Sequence, residues 1–262
     1  MCQDSVCVRQ YSSRGKQYVV AALSDGAGSA AKSEYGSKAL VEGITEHVIS
    51  FFDSLVALVS KDNLSFRTEI IEAANSILEK TSEDQNCTIK DLASTLMFVA
   101  TDQKSVIYFH VGDGVIIMRK GDAFSIISKP YNGEYANETV FVSSHGAADD
   151  AHAGIFELSG NIDSFFLMSD GPEPVFYSKR DEKPWSLQLL SFVDNKCIMI
   201  PDDENRRNLF VKYVLEERCR PYSPDDLSLI ILDRVKTLTK EERIQRRHQK
   251  RLNVAKRKKA SA

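Results

Sequence analysis

Three short apolar runs in this chain stop at the same dipeptide, and that repetition constrains the fold more than any other feature. Tyr18-Val19-Val20-Ala21-Ala22-Leu23 runs into Ser24-Asp25-Gly26-Ala27-Gly28-Ser29, His110-Val111 into Gly112-Asp113-Gly114, and Phe165-Phe166-Leu167-Met168 into Ser169-Asp170-Gly171. A further carboxylate pair, Asp225-Asp226, precedes the apolar run at 227–232. Runs of this length, rich in β-branched and aromatic residues and bounded by glycine, read as buried strands. Any single Asp-Gly also suits a hairpin turn, because both residues tolerate positive φ. Gly112-Asp113-Gly114, between two strands, fits that reading best. Asp25 and Asp170 instead precede helical or loop segments, where a turn does not require Asp each time.

The remaining elements follow from periodicity. Residues 38–59 carry Leu40, Ile44, Val48 and Phe52 at steps of four, which predicts a helix. A second helix is expected over 66–78, with Ile70, Ile71, Ala74 and Ile77 on one face. Residues 95–100 and 106–109 read as strands joined at Thr101-Asp102-Gln103-Lys104, and 115–118 as a third. The stretch 128–160, rich in Gly, Ser, Asn and Asp, is either a long functional loop or broken strands. Residues 209–217 should be helical.

Length and charge narrow the class. A chain of 262 residues can bury a full core, and one large α/β domain is the simplest division. Five cysteines with no CxxC or Cys/His cluster argue against a disulfide framework or structural zinc and fit reduced thiols in a cytosol. No signal peptide opens the chain, and its apolar runs are strand-sized, so we expect a cytoplasmic protein with no membrane attachment. The net charge of -3 is unevenly spread: residues 236–262 hold eleven Lys/Arg against two Glu, leaving 23 basic and 35 acidic residues in the rest. We therefore expect a domain over 1–235 and a basic tail over 236–262, helical or disordered. The acidic body suits divalent cations, and nucleic acid is expected to touch the tail alone.

Carboxylates on the ends of neighbouring buried strands can converge on one point. They repel each other there unless a cation is present. Mg²⁺ and Mn²⁺ are hard ions that prefer such oxygens. Two of them about 3.5–4 Å apart can share a water, lower its pKa and neutralise a phosphate in transfer.

These residues, in this order, resemble the metal-dependent serine/threonine protein phosphatases of type 2C, the PPM family, and most closely its short bacterial branch. The likeness spans residue 3 to about residue 232, and it rests on Cys2-Gln3-Asp4, Asp25-Gly26-Ala27-Gly28, Gly112-Asp113-Gly114, Ser169-Asp170-Gly171 and Asp225-Asp226-Leu227-Ser228. Gly133-Glu134-Tyr135-Ala136-Asn137 matches the bacterial branch, either in a substrate-facing flap or as a turn with a packed tyrosine.

The resemblance implies an α+β fold, with two antiparallel β-sheets packed as a sandwich and helices on the outer faces. It implies hydrolysis of phosphoserine and phosphothreonine on proteins by a hydroxide bridging two Mn²⁺ or Mg²⁺ ions, with no phospho-enzyme. Asp25, Asp170 and Asp225 would be the catalytic metal residues, with Asp25 bridging the ions and the Gly26 carbonyl binding one. Asp4 would serve as a direct or outer-sphere residue, and Asp113 would hold a third, weaker ion. Ala93-Ser94-Thr95 would be structural, and Asp226 stands where the family has Asn. Phosphorylated proteins, a cognate serine/threonine kinase and a place in bacterial signalling follow as expected partners and context.

Two departures stand out. The sequence begins at Met1, leaving no place ahead of Asp4 for the strand and the phosphate-gripping Arg that many members carry. Ala27 stands where many eukaryotic members have a general-acid His. They motivate a second reading, a pseudophosphatase acting as a binding or regulatory module. A third is nucleic-acid association through the tail. Among the histidines, His110 on a predicted strand reads best as a hydrogen-bonded core residue. His145 and His152 lie in the long loop.

Overall fold

The computed structural model describes residues 2–13, 15–131, 139–158, 162–186, 189, 208 and 211–234. The Gly133–Asn137 motif, Cys197 and the basic tail lie outside them.

Along the chain come β1 (Ser5–Ser13), β2 (Lys16–Ser24), α1 (Ser33–Lys61), α2 (Asn63–Gln85), β3 (Leu96–Thr101), β4 (Ser105–Val111), β5 (Val115–Lys120) and β6 (Ala123–Ser128). Then follow α3 (Ala147–Asp150), β7 (His152–Glu157), β8 (Ile162–Met168), α4 (Glu173–Phe176), β9 (Tyr177–Ser178), β10 (Lys183–Pro184) and β11 (Leu229–Asp233). One sheet has the order β1-β2-β3-β4-β7, the other β11-β8-β5-β6, and β9 and β10 form a small ribbon. All pairings are antiparallel.

Alternation along the strands builds the layers. In the first sheet Val20, Ala22, Leu96, Phe98, Ala100, Ile107 and Phe109 join α1 and α2 residues such as Leu40, Ile44, Val48 and Phe66 in one core. Their neighbours Ala21, Leu23, Met97, Val99 and Val106 face the other way, onto Ile116, Phe165, Leu167 and Ile230 of the second sheet. The outer face of that sheet, with Val115, Ile117, Phe166 and Met168, packs on Phe176, Tyr177, Leu189, Val214 and Cys219. The molecule is a two-sheet sandwich with helical segments outside, as expected. Strands buried on both faces explain why these runs are continuously apolar.

Three strands escape the periodicity. Val6 and Val8 of β1 are exposed, so pairing with β2 rather than apolar burial holds that strand. β6 pairs with β5 through a register shift. In β7, Gly154 sits against Tyr108, whose side chain a Cβ would meet at 2.6 Å. The stretch 128–160 is thus partly strand. Residues Val211–Cys219 wind as a wide π-type helix. Gly112-Asp113-Gly114 is not a hairpin, because β4 and β5 belong to different sheets and the chain crosses between them there.

α1 is long and apolar enough to cross a membrane by composition. Here Leu40, Val41, Ile44, Val48, Phe52 and Leu55 are buried in the core instead. The described cysteines are free; Cys219 is buried and Cys2 exposed.

Candidate active site

Register brings the aspartates together. Ser5 pairs with Ser24, so Asp4 and Asp25 face each other one step past the β1–β2 ladder. Val115 pairs with Met168, which sets Asp113 and Asp170 opposite one another two steps past the β5–β8 ladder. β11 enters its pairing with β8 from the same end, carrying Asp225 and Asp226 just before it. Carboxylates from both sheets therefore collect at one end of the sandwich.

Hydroxyl and amide groups hold the strand ends in place. The Asp25 N–H donates to Thr95 Oγ1 at 2.9 Å, and the Thr95 N–H donates to the Asp25 carbonyl at 2.8 Å. Ser169 Oγ donates to Asp4 Oδ2 at 2.8 Å and accepts the Ser228 N–H at 3.2 Å, which ties the two sheets together. Asp226 Oδ2 accepts the Gln3 N–H at 2.6 Å. Its carboxylate anchors the segment carrying Asp4, a task an Asn oxygen performs equally. Thr139 Oγ1 donates to Asp113 Oδ2 at 2.7 Å. Gly26 is confined, since a Cβ there would meet the Gln3 carbonyl at 2.8 Å and Ser33 Cβ at 2.9 Å. Gly171 is tighter still, its backbone pressed on the Asp226 carbonyl.

The carboxylates feel each other strongly. Asp25 is pushed up to about 10, by burial first and then by Asp4, Asp170 and Asp113. Asp170 is pushed up to about 6 by burial, Asp113 and Asp225, against a lowering pull from Lys179. Burial also raises Asp4, against stabilising bonds from its neighbours. Asp25 and Asp170 thus lie in one electrostatic cluster, together with Asp4, Asp113 and, through Asp170, the exposed Asp225.

Do these residues fit divalent ions? Asp4 Oδ1 and Asp170 Oδ1 are buried without any hydrogen-bond partner, and buried polar atoms are seldom left so. The donor set is all oxygen, which suits hard cations. Among the described residues no three His, Cys, Asp or Glu groups close into a cage around one point. Mg²⁺-like ions keep several waters and take one or two carboxylates each, so a closed cage is not required. The residues fit.

Three features went unread in the sequence. Glu173, three residues after Asp170, is 1% exposed and donates its N–H to the Asp170 carbonyl at 3.2 Å. Its carboxyl is pushed up to about 7 by burial, with Lys179 pulling down and Asp170 and Asp113 pushing up. Lys179 Nζ lies 2.9 Å from Glu173 Oε2. The third feature is a relay that runs from the core towards the surface: the buried His110 Nδ1 is 2.7 Å from Ser128 Oγ, which is 3.2 Å from Nδ1 of the half-buried His152. Burial pushes His110 down to about 3, so it is a neutral core histidine, as its strand position predicts. Only Glu173 had a usable signal, an acid one helical turn after the Asp-Gly. A groove between α1, α2 and β1 is lined by none of these residues.

A two-sheet sandwich that gathers acidic strand ends of both sheets at one edge has the form that the resemblance to type 2C protein phosphatases predicts. The family model for protein phosphatase 2C matches residues 1–200, and the chain belongs to that family. No curated protein sequence matches it. A bacterial serine phosphatase is similar in structure at TM-score 0.58 and 15% identity, covering 91% of this chain and 94% of its own. The serine/threonine phosphatase PstP/Ppp of Mycobacterium tuberculosis is similar at 0.56 and 16%, covering 89% and 92%. The catalytic domain of PstP in complex with two manganese ions is similar at 0.51 and 15%, covering 89% and 98%. At these identities the likeness concerns the fold.

Proposed function

We propose that this chain hydrolyses phosphoserine and phosphothreonine on proteins with the help of two divalent ions, Mn²⁺ or Mg²⁺. The supporting observation is the junction of Asp4, Asp25, Asp113 and Asp170 from the ends of both sheets, with buried carboxylate oxygens that have no protein partner. Asp25, Asp170 and Asp225 would hold the ions together with the Gly26 carbonyl. Asp4 would support them, and Asp113 would hold a third, weaker ion. When bound, the ions would activate water as Lewis acids and offset charge on the phosphoryl oxygens.

The chain's own groups do the rest. Thr95, Ser169 and Ser228 fix the strand ends that carry Asp4, Asp25 and Asp170. Asp226 keeps the Asp4 segment against the cluster through Gln3. Ala27 offers no proton donor, so protonation of the departing alkoxide would fall to a water or to another group. Phosphorylated proteins in the cytoplasm, modified by a cognate kinase, are the partners this reading calls for. The test is turnover of a phosphothreonine peptide by chelated and Mn²⁺-loaded protein. Metal binding without turnover of this peptide or of an aryl phosphate would favour the pseudophosphatase reading.

A further inference from the structure

We propose that Lys179, held in place by the buried Glu173, is the cation that grips the phosphoryl group at this site. The inference rests on the phosphatase reading above and adds the residue that anchors the substrate.

The site has a charge problem. Asp4, Asp25, Asp113, Asp170 and Asp225 surround it, and a phosphomonoester dianion must approach them. Divalent ions offset part of that repulsion, but a phosphoryl group also needs donors for its outer oxygens.

Lys179 meets the requirement. The chain leaves Asp170, turns through α4, runs along β9 and brings Lys179 back against Glu173. There its ammonium lies 2.9 Å from Glu173 Oε2. Burial works against the charged form, yet Glu173, Asp170 and Asp113 outweigh it and raise the lysine. Its side chain is 60% exposed while that of Glu173 is 1% exposed. The lysine head thus faces solvent at the edge of the cluster, with one carboxylate beneath it. An ammonium has three donors, so one pairing leaves others for phosphoryl oxygens.

Arg220 is the neighbouring alternative and is committed elsewhere. Its Nη1 donates to the Ser223 and Asp225 carbonyls, and its Nε lies 3.8 Å from Glu216. Arg220 shapes the loop that presents Asp225, whereas Lys179 stands open. Glu173 fits a positioning role, because a buried carboxylate under a flexible lysine fixes where the ammonium sits.

The experiment measures inorganic phosphate binding by titration calorimetry on the full chain with Mn²⁺, beside KM and kcat for a phosphothreonine peptide. Lys179→Ala should weaken phosphate binding and raise KM by about tenfold or more, while Mn²⁺ affinity holds. Lys179→Arg should restore most of the affinity. The double variant Glu173→Gln/Lys179→Gln removes both charges without leaving a lone buried carboxylate, and it should lose phosphate affinity while keeping the wild-type Tm. Equal phosphate affinity in wild type and Lys179→Ala overturns the proposal, as does wild type that binds no phosphate. So does a lowered Tm with equal loss in the Ala and Arg variants, since that marks a purely structural pair. Wild type that binds phosphate through Lys179 but turns nothing over leaves this inference standing and removes the phosphatase reading.

Discussion

Among the described residues, Asp25 is the carboxyl pushed furthest above its ordinary range. Its carboxyl, at 3.8 when free, is pushed up to about 10 by burial and by Asp4, Asp170 and Asp113. A folded-state value above the unfolded one means that stability is full below about pH 4 and falls as pH rises towards the folded value. Metal-free protein should therefore melt at lower temperature at pH 8 than at pH 5, and Asp25→Asn should flatten that slope. At pH 7 in chelator the variant should be more stable by about 1–3 kcal/mol, measured by urea unfolding. Mn²⁺ should reverse the order, stabilising wild type and leaving Asp25→Asn nearly unmoved. His110 has the opposite sign. Its folded value of about 3 lies below the ordinary 6.5, so its contribution is full above pH 6.5 and is lost as pH falls towards 3. Its surroundings, Ser128, His152 and beyond them Lys129 and Arg67, offer no carboxylate to receive a charged imidazole. His110→Gln should unfold less steeply between pH 6 and 4, read by circular dichroism against pH.

At the scale of elements, the strand ends matter more than the strands. Gly112 sits at φ +125°, and a Cβ there would meet Thr95 at 2.6 Å. It marks the crossover from one sheet to the other, next to Asp113 and against the residue that holds Asp25. Gly112→Ala combines backbone strain with a clash and should cost about 2–4 kcal/mol, read as a fall in the urea midpoint. Thermal and spectroscopic equivalence with wild type would contradict the packing described here. The same crossover explains what the sequence could and could not disclose. Strands β2, β3, β5 and β8 were legible because both faces are largely buried, which makes their runs apolar. Strand β1 was not, since its valines point outward and its hold comes from ladder pairing, which leaves no hydrophobic pattern. Gly112-Asp113-Gly114 looked like a hairpin turn because local chemistry is the same for a turn and a crossover. Which sheet the next strand joins is a tertiary fact.

For the whole molecule, the aspartates were legible as a recurring strand-end motif, and their gathering at one edge follows once both sheets are paired. Lys179 was not, because an exposed lysine carries no periodic or compositional mark, and the buried Glu173 offered only its place one helical turn after Asp170-Gly171. Nor were the hydroxyls of Ser169 and Thr95, whose value lies in the distance between sheets. The last described strand, β11, pairs with β8 and ends at Asp233, ahead of the basic stretch of the sequence. A chain ending after residue 235 should keep the melting temperature and peptide turnover of the full chain, and tail removal should change only salt-dependent association with polyanions. The central claim is that carboxylates from two sheets form one metal-dependent hydrolytic site. Turnover of a phosphothreonine peptide, measured against Mn²⁺ concentration for wild type and Asp170→Asn side by side, tests it most directly. The account predicts saturable, chelator-sensitive turnover by wild type and a loss of about a hundredfold or more in the variant. Equal turnover by both proteins, or wild-type turnover indifferent to chelation, would contradict it.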